Sequence, residues 1–186
     1  MGPQKHRLFL LKKLKERRVK SILDVGCGTG CLWDLIDWQV VYKGVDYSHA
    51  MIKTCKKTFP EVIWQVQDAR HLDEEDNSWE AVVLMHCLDH LDNYQAAIKE
   101  AARVARKYVF IILWRPLLEK GTNLNSVNTM HKKPGEKPWN DTHLQEYSAK
   151  VLLKEFKKNK LKLVRGYSGN EINDKGSYNT MFILKK

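Results

Sequence analysis

Asp24-Val25-Gly26-Cys27-Gly28-Thr29-Gly30 sets three glycines at alternate positions behind an acid. Glycine turns the chain sharply and lets backbone approach a ligand with no Cβ in the way. A dinucleotide fingerprint would need Gly or Ala where Cys31 stands, and no P-loop lysine follows. The acid Asp24 would repel a pyrophosphate and attract a cation. Two more acids close later apolar runs. Asp46 stands about 20 residues beyond the loop, a spacing suited to a carboxylate that accepts from two vicinal hydroxyls. Asp68, in Asp68-Ala69-Arg70, has the chemistry to accept from an exocyclic N–H. It equally suits a helix cap or an ion pair with Arg70. His86 and His90 stand four apart and share a face if that stretch is helical. A histidine is the side chain best matched to deprotonating a hydroxyl near neutral pH.

Alternating strands and helices position these groups. The pattern predicts a basic amphipathic helix over 6–18 with Leu8, Leu11 and Leu14 on one face. Strands follow at 21–25, 40–45, 62–66, 81–85 and 108–113, with helices at 31–38, 49–58 and 94–106. A further helix is expected over about 143–159, then two apolar runs, 161–164 and 178–184, that pair antiparallel. The implied fold is α/β: a doubly wound, mostly parallel seven-stranded sheet with an antiparallel C-terminal edge strand and helices on both faces. The glycine loop then lies at the carboxyl end of the first strand, where open α/β folds bind ligands.

With those elements in place, SILDVGCGTG resembles the first motif of the class I S-adenosylmethionine-dependent methyltransferases almost letter for letter. The resemblance extends over about residues 18–115, with the later elements in the family's order. It implies a Rossmann-like fold, S-adenosyl-L-methionine as cofactor and S-adenosyl-L-homocysteine as product. It implies that the loop of Gly26, Cys27, Gly28 and Gly30 cradles the cofactor, with Asp24 near its methionine ammonium group. Asp46 matches the acid that binds both ribose hydroxyls, Tyr47 and Met51 pack near the adenine, and the acid of Asp68-Ala69-Arg70 meets the adenine amino group. The C-terminal helix is similar to that of one large, functionally broad small-molecule subgroup.

In this family the end of the fourth strand faces the methyl group and carries any acid–base residue. Here it reads Leu84-Met85-His86-Cys87-Leu88-Asp89-His90-Leu91. It has neither the Pro-Pro-aromatic run of many base and glutamine N-methyltransferases nor the Pro-Cys pair of a covalent route to cytosine. His86 is the candidate general base or substrate orienter. A backbone contact to the cofactor and a hydrogen-bonded structural role are its other readings. His90 reads as structural or substrate-facing, and Cys87 as a packing residue. By analogy the reaction is a direct displacement onto an unidentified, small-molecule acceptor.

Residues 116–142, rich in Pro, Gly, Asn and Lys, carry little periodicity. A stretch that long in a compact domain commonly serves as a lid or binding loop. The 114–147 region offers Arg115, His131, Trp139, His143 and Tyr147 as substrate contacts.

Composition bounds these readings. The 186 residues, 43% apolar and 29% charged, fit one methyltransferase-sized domain over 1–186 and exclude disordered and fibrous classes. No apolar run would span a bilayer, and the N-terminus is no secretory signal. Cys27, Cys31, Cys55 and Cys87 have unrelated spacings and suggest neither a disulfide framework nor a metal site, so a reduced, cytoplasmic protein is expected. The net charge of +10 is uneven: residues 1–20 and 150–186 each carry +7 and the middle −4. The basic ends suit either a solvated lysine-rich face or RNA phosphates, so an RNA methyltransferase and a non-catalytic methyltransferase-fold subunit stand as alternatives.

Overall fold

The computed structural model describes residues 5–114, 117, 147–168, 171–172 and 179–186. Its order is α1 (Lys5–Glu16), β1 (Ser21–Val25), β2 (Val41–Asp46), α2 (His49–Thr58), β3 (Ile63–Val66), β4 (Trp79–Met85), α3 (Tyr94–Val104), β5 (Ala105–Leu113), α4 (Ala149–Lys158), β6 (Lys162–Tyr167) and β7 (Thr180–Lys185). The seven strands form one sheet in the order β3-β2-β1-β4-β5-β7-β6. β1 to β5 are parallel, and β7 runs antiparallel to both of its neighbours.

The antiparallel C-terminal strand is present, one place in from the edge. Five of the six residues of β7 (TMFILK) are buried, whereas none of β6 (KLVRGY) is fully buried. The apolar strand therefore takes the inner place and the charged one the edge, where its charges discourage further pairing.

Two apolar layers cover the sheet. α3 and α4 pack on one face with Ile98, Ala101, Leu152 and Phe156, and α1 and α2 on the other with Leu10, Leu11, Leu14, Ile52 and Cys55. Asn93 starts α3 by accepting from the Ala96 N–H at 3.2 Å, and Ser48 starts α2 by accepting from that of Met51 at 3.4 Å. Two local expectations change. The stretch 31–38 forms only a 3-10 turn, Trp33–Leu35, because Leu32 at its start has no side-chain acceptor for the free N–H groups. On α1 the buried seam is His6, Leu10, Leu11 and Leu14, while Leu8 is 51% exposed. The helix has rotated to bury the four-residue repeat 6-10-14.

The chain enters the sheet at β1 and crosses from β3 to β4 on its other side, so β1 and β4 flank the point where the strand order reverses. Val25, Asp46 and Met85 end their strands together there, and the crevice beyond them holds the site.

Candidate functional site

The glycine loop folds back on β2: the N–H groups of Gly26 and Cys27 both donate to the Val45 carbonyl, at 2.8 and 3.0 Å. Gly26 has φ +77°, and a Cβ there would lie 2.9 Å from the Cβ of Cys87, so glycine is required for the close approach to the β4 end. Gly28, at φ +55°, differs. Nothing lies within 4 Å of where its Cβ would stand, so the loop presents bare backbone to open space.

Asp46 closes β2 beside this loop. Its Oδ2 accepts from the Gly28 N–H and its Oδ1 from the Ser48 N–H, each at 2.9 Å, so backbone fixes both carboxylate oxygens. The crevice is an open cavity of about 560 Å³. It brings together Gly26, Gly28, Asp46, Tyr47, Met51, Asp68, Ala69, Arg70, His86 and His90 of the expected residues, and adds Ser48, Gln67, Cys87, Leu91 and Asp92. Tyr47 and Met51, 74% and 40% exposed, present apolar surface on the cavity wall.

Asp24 sits behind the loop, 1% exposed. Oδ2 accepts from the Tyr42 hydroxyl at 2.6 Å, and Oδ1 has no partner. Burial pushes its pKa up to about 7; the Tyr42 hydrogen bond opposes this, Asp46 adds to it and the Arg7 guanidinium opposes it. Cys27 is buried beneath the loop, and Gly30 turns against Phe59 and Trp64, so neither lines the cavity.

Asp68 and Arg70 form a two-pronged ion pair. Arg70 Nε donates to Oδ1 at 2.9 Å and Nη2 to Oδ2 at 2.7 Å, which holds the carboxylate below its ordinary range. The ion pair of Asp68 with Arg70 stands on the cavity wall.

At the end of β4, His86 adopts φ +56°, a left-handed conformation rare outside glycine and frequent at functional positions. Its N–H donates to the Ile112 carbonyl at 2.8 Å, which pins it to β5. The ring lies 3.0 Å from Asn179 Oδ1 through Nε2, and its centroid is 4.8 Å from each of the His6 and Trp114 rings. Burial first, then His6, lowers its pKa to about 4, with Asn179 opposing, so the imidazole is neutral at physiological pH. His90 ends a 3-10 turn, Leu88–His90, so the four-residue spacing does not stack it on His86.

Tyr147, expected to contact substrate, is 2% exposed and donates to the Leu88 carbonyl at 2.7 Å. It packs edge-on against Tyr94 and supports the turn after β4 from behind. Its ring is consumed by the core and its hydroxyl by backbone, so it offers the acceptor nothing. Arg115, His131, Trp139 and His143 lie outside the described residues. His6, Asn179 and Ser48 escaped the sequence reading. His6 had a signal, its place four residues before Leu10 on the buried seam; Asn179 had none, lying far along the chain. Cys87 has its thiol pushed up to about 12 by burial, and the Cys27 and Cys55 thiols are also raised, so these three are no nucleophiles at neutral pH. Among the described residues no group of three His, Cys, Asp or Glu could hold a metal ion.

A glycine loop after β1, an acid ending β2 and an acid following β3 meet at one switch point of the sheet. A family model described as "Methyltransferase domain" matches residues 23–113. The chain is 29% identical over 106 residues to the ajmaline N-methyltransferase of Rauvolfia serpentina, covering 53% of this chain and 36% of that one. It is 31% identical over 108 residues to the ubiquinone/menaquinone biosynthesis C-methyltransferase UbiE of Desulfotalea psychrophila, covering 55% and 44%. The chain thus spans about half or less of the length of these curated relatives. In fold it is similar to the magnesium protoporphyrin IX methyltransferase of Synechocystis with bound S-adenosylhomocysteine, with a TM-score of 0.74 at 17% identity over 98% of this chain and 83% of that one. Residues 23–113 thus match a methyltransferase domain, and the fold is that of S-adenosylmethionine-dependent methyltransferases.

Proposed function

We propose that this protein moves a methyl group from S-adenosylmethionine to a small-molecule acceptor by direct displacement. The observation that carries the reading is Asp46, both of whose oxygens are oriented by backbone N–H groups on a cavity whose Gly28 wall is bare. The residues present fit the cofactor. Asp46 suits two ribose hydroxyls, exposed Tyr47 and Met51 offer apolar faces to an adenine, and Asp68 with Ala69 stands on the adenine side. The unpartnered oxygen of buried Asp24 suits an ammonium group. Bound there, the cofactor supplies an electrophilic methyl group.

The chain's own part is positioning and exclusion of water. His86 donates its Nε2 hydrogen to Asn179 Oδ1, which leaves Nδ1 as the acceptor of a ring on the cavity wall. With its pKa near 4 it is a weak base, so orienting the acceptor suits it better than abstracting a proton. His90, exposed on the rim, is placed to meet the acceptor.

An RNA substrate tracked by the two basic ends is the alternative: α4 lies on the opposite face from α1, but Lys13 of α1 and Arg165 of β6 stack on the same Tyr167 ring. Intact Asp24, Gly28 and Asp46 weigh against a non-catalytic subunit. Free cysteines support a reducing, cytoplasmic setting, and no helix among the described residues is long and apolar enough to cross a membrane. Calorimetric titration with S-adenosylmethionine, with NAD as control, tests the reading: micromolar binding of the first alone is expected, and binding of neither overturns it. Transfer to small acceptors that survives added salt, with RNA unmodified, is the second expected outcome.

A further inference from the structure

The two basic ends of the chain converge at one pole of the molecule, the pole away from the cavity. α1 starts with His6 beside His86, and the chain leaves it with Arg17 stacked 5.8 Å from the Tyr108 ring, near the start of β5. α4 starts next to Tyr147, which meets the turn after β4, and ends where β6 begins. β7 runs against the parallel strands, so it finishes where they start. Lys185 pairs with Tyr108 on one side and Lys162 on the other, and the Lys186 N–H donates to the Lys107 carbonyl at 3.0 Å. Lys20, just before β1, and Arg106 with Lys107, early in β5, gather on Glu80. It accepts from the Lys20 N–H at 3.0 Å, from Arg106 at 3.3 Å and from Lys107 at 2.8 Å.

Those contacts consume Glu80, and Asp76, exposed nearby, is held by Arg103 at 2.9 Å. Arg18, Lys20, Lys160, Lys162 and Lys185 are exposed, and among the described residues no acid pairs with their side chains. Bases in the last turn of a helix complement its dipole, which accounts for Lys157 and Lys158 of α4. Lys20, Lys162 and Lys185 stand on or beside strands, which have little dipole to complement. A surface built only for solubility intersperses both signs. The cavity pole has the other character: Asp46, Asp68 and Asp92 line it, and its Arg70 is paired with Asp68. A polyanion is thus drawn to the far pole and turned away from the cavity.

Strands stand about 4.8 Å apart, so the row from β1 through β4, β5 and β7 to β6 runs roughly 19 Å, over which one nucleic-acid strand places about five phosphates. A row that narrow fits a linear polyanion better than a flat bilayer. The exposed aromatic side chains among the described residues, Tyr47 and Trp114, both stand at the cavity end, so the row gives bases nothing to stack on. We infer that this row docks the phosphate backbone of a single-stranded nucleic acid, without reading its sequence, at the pole opposite the cavity. Nucleic acid held there tethers the protein and is not its methyl acceptor, so the inference stands apart from the cofactor reading.

Fluorescence anisotropy of a labelled oligouridylate over a series of salt concentrations tests it. Wild type should bind at low salt and weaken steeply as salt rises, each phosphate contact adding about 0.7 to the log–log slope. The variant Lys20→Gln/Lys162→Gln/Lys185→Gln, with a thermal midpoint near that of wild type, should lose about tenfold or more in affinity and flatten the slope by about two. Lys162→Gln alone should flatten it by about 0.7. Lys99→Gln/Lys150→Gln/Lys154→Gln removes the same charge from α3 and α4 away from the row and should keep affinity within about threefold. Equal losses in the two triple variants would mean attraction by net charge alone and overturn the docking row. A wild type that binds no oligouridylate at low salt overturns it too. Sedimentation with phosphatidylserine vesicles, abolished by Lys20→Gln/Lys162→Gln/Lys185→Gln, would give the row to a membrane and likewise overturn it.

Discussion

Tyr42 donates its phenolic hydrogen to Oδ2 of Asp24 at 2.6 Å, across the β1–β2 pair and between two buried side chains. With Oδ1 unpartnered, this is the bond that satisfies a carboxyl group taken wholly out of water. Tyr42→Phe would leave the acid with neither oxygen paired and push its pKa higher still. A stability loss of about 1–3 kcal/mol is expected by urea denaturation near pH 8, where the wild-type acid is largely charged and the lost bond counts most.

The same acid gives folding a pH dependence of known sign. Its folded pKa of about 7 stands above the ordinary 3.8, so the native state favours the protonated form. The stability this contributes is fully present below pH 3.8 and is lost as the pH rises through about 7. Asp24→Asn removes the titration, so the variant should gain on wild type steadily across that window. Two unfolding curves that stay parallel from pH 4 to 8 would refute the assignment.

Binding should move a proton as well. An ammonium group brought to Oδ1 favours the carboxylate, so S-adenosylmethionine binding at pH 6 should expel up to about one proton per site. Titration in two buffers of different ionisation enthalpy measures this. Identical observed heats would mean that Asp24 does not meet the cation.

Two of the loop glycines should fail differently. Gly28→Ala places a methyl group in open space at φ +55°, so the chain should fold with a loss of about 1–2 kcal/mol while cofactor affinity falls about tenfold or more. Gly26→Ala meets the Cβ of Cys87 at 2.9 Å and should cost more in thermal stability than Gly28→Ala does. Reversal of that order would remove Gly28 from the ligand-facing wall.

Tyr147→Phe separates support from contact. Losing the hydrogen bond to the Leu88 carbonyl should cost about 1–2 kcal/mol of stability, yet leave cofactor affinity within about twofold. A binding loss larger than the stability loss would return Tyr147 to the pocket.

Much of this site was legible because its signals are local. The loop glycines, Asp46 and Asp68 each end an apolar run, and a run's end is visible in sequence. Tyr147 misled for the opposite reason: it closes the 114–147 region, and its burial is decided by Leu88 and Tyr94, far back along the chain. Asn179 reaches His86 only because β7 inserts next to β5, a pairing that no neighbouring residue announces. The turn of α1 was misjudged by one side chain. Leu8 and Leu10 are equally apolar, and the seam was settled by His6, a polar residue that periodicity discounts.

The place of β7 also sets the order in which the sheet can be completed. Charged β6 precedes β7 along the chain, yet it touches no other strand and hangs from β7 alone. As the polypeptide leaves the ribosome, β5 keeps a bare apolar margin until residues 180–185 arrive to cover it. The nascent domain therefore carries a sticky flank from the completion of β5 until then. Chaperone engagement should fall away only once those six residues have emerged.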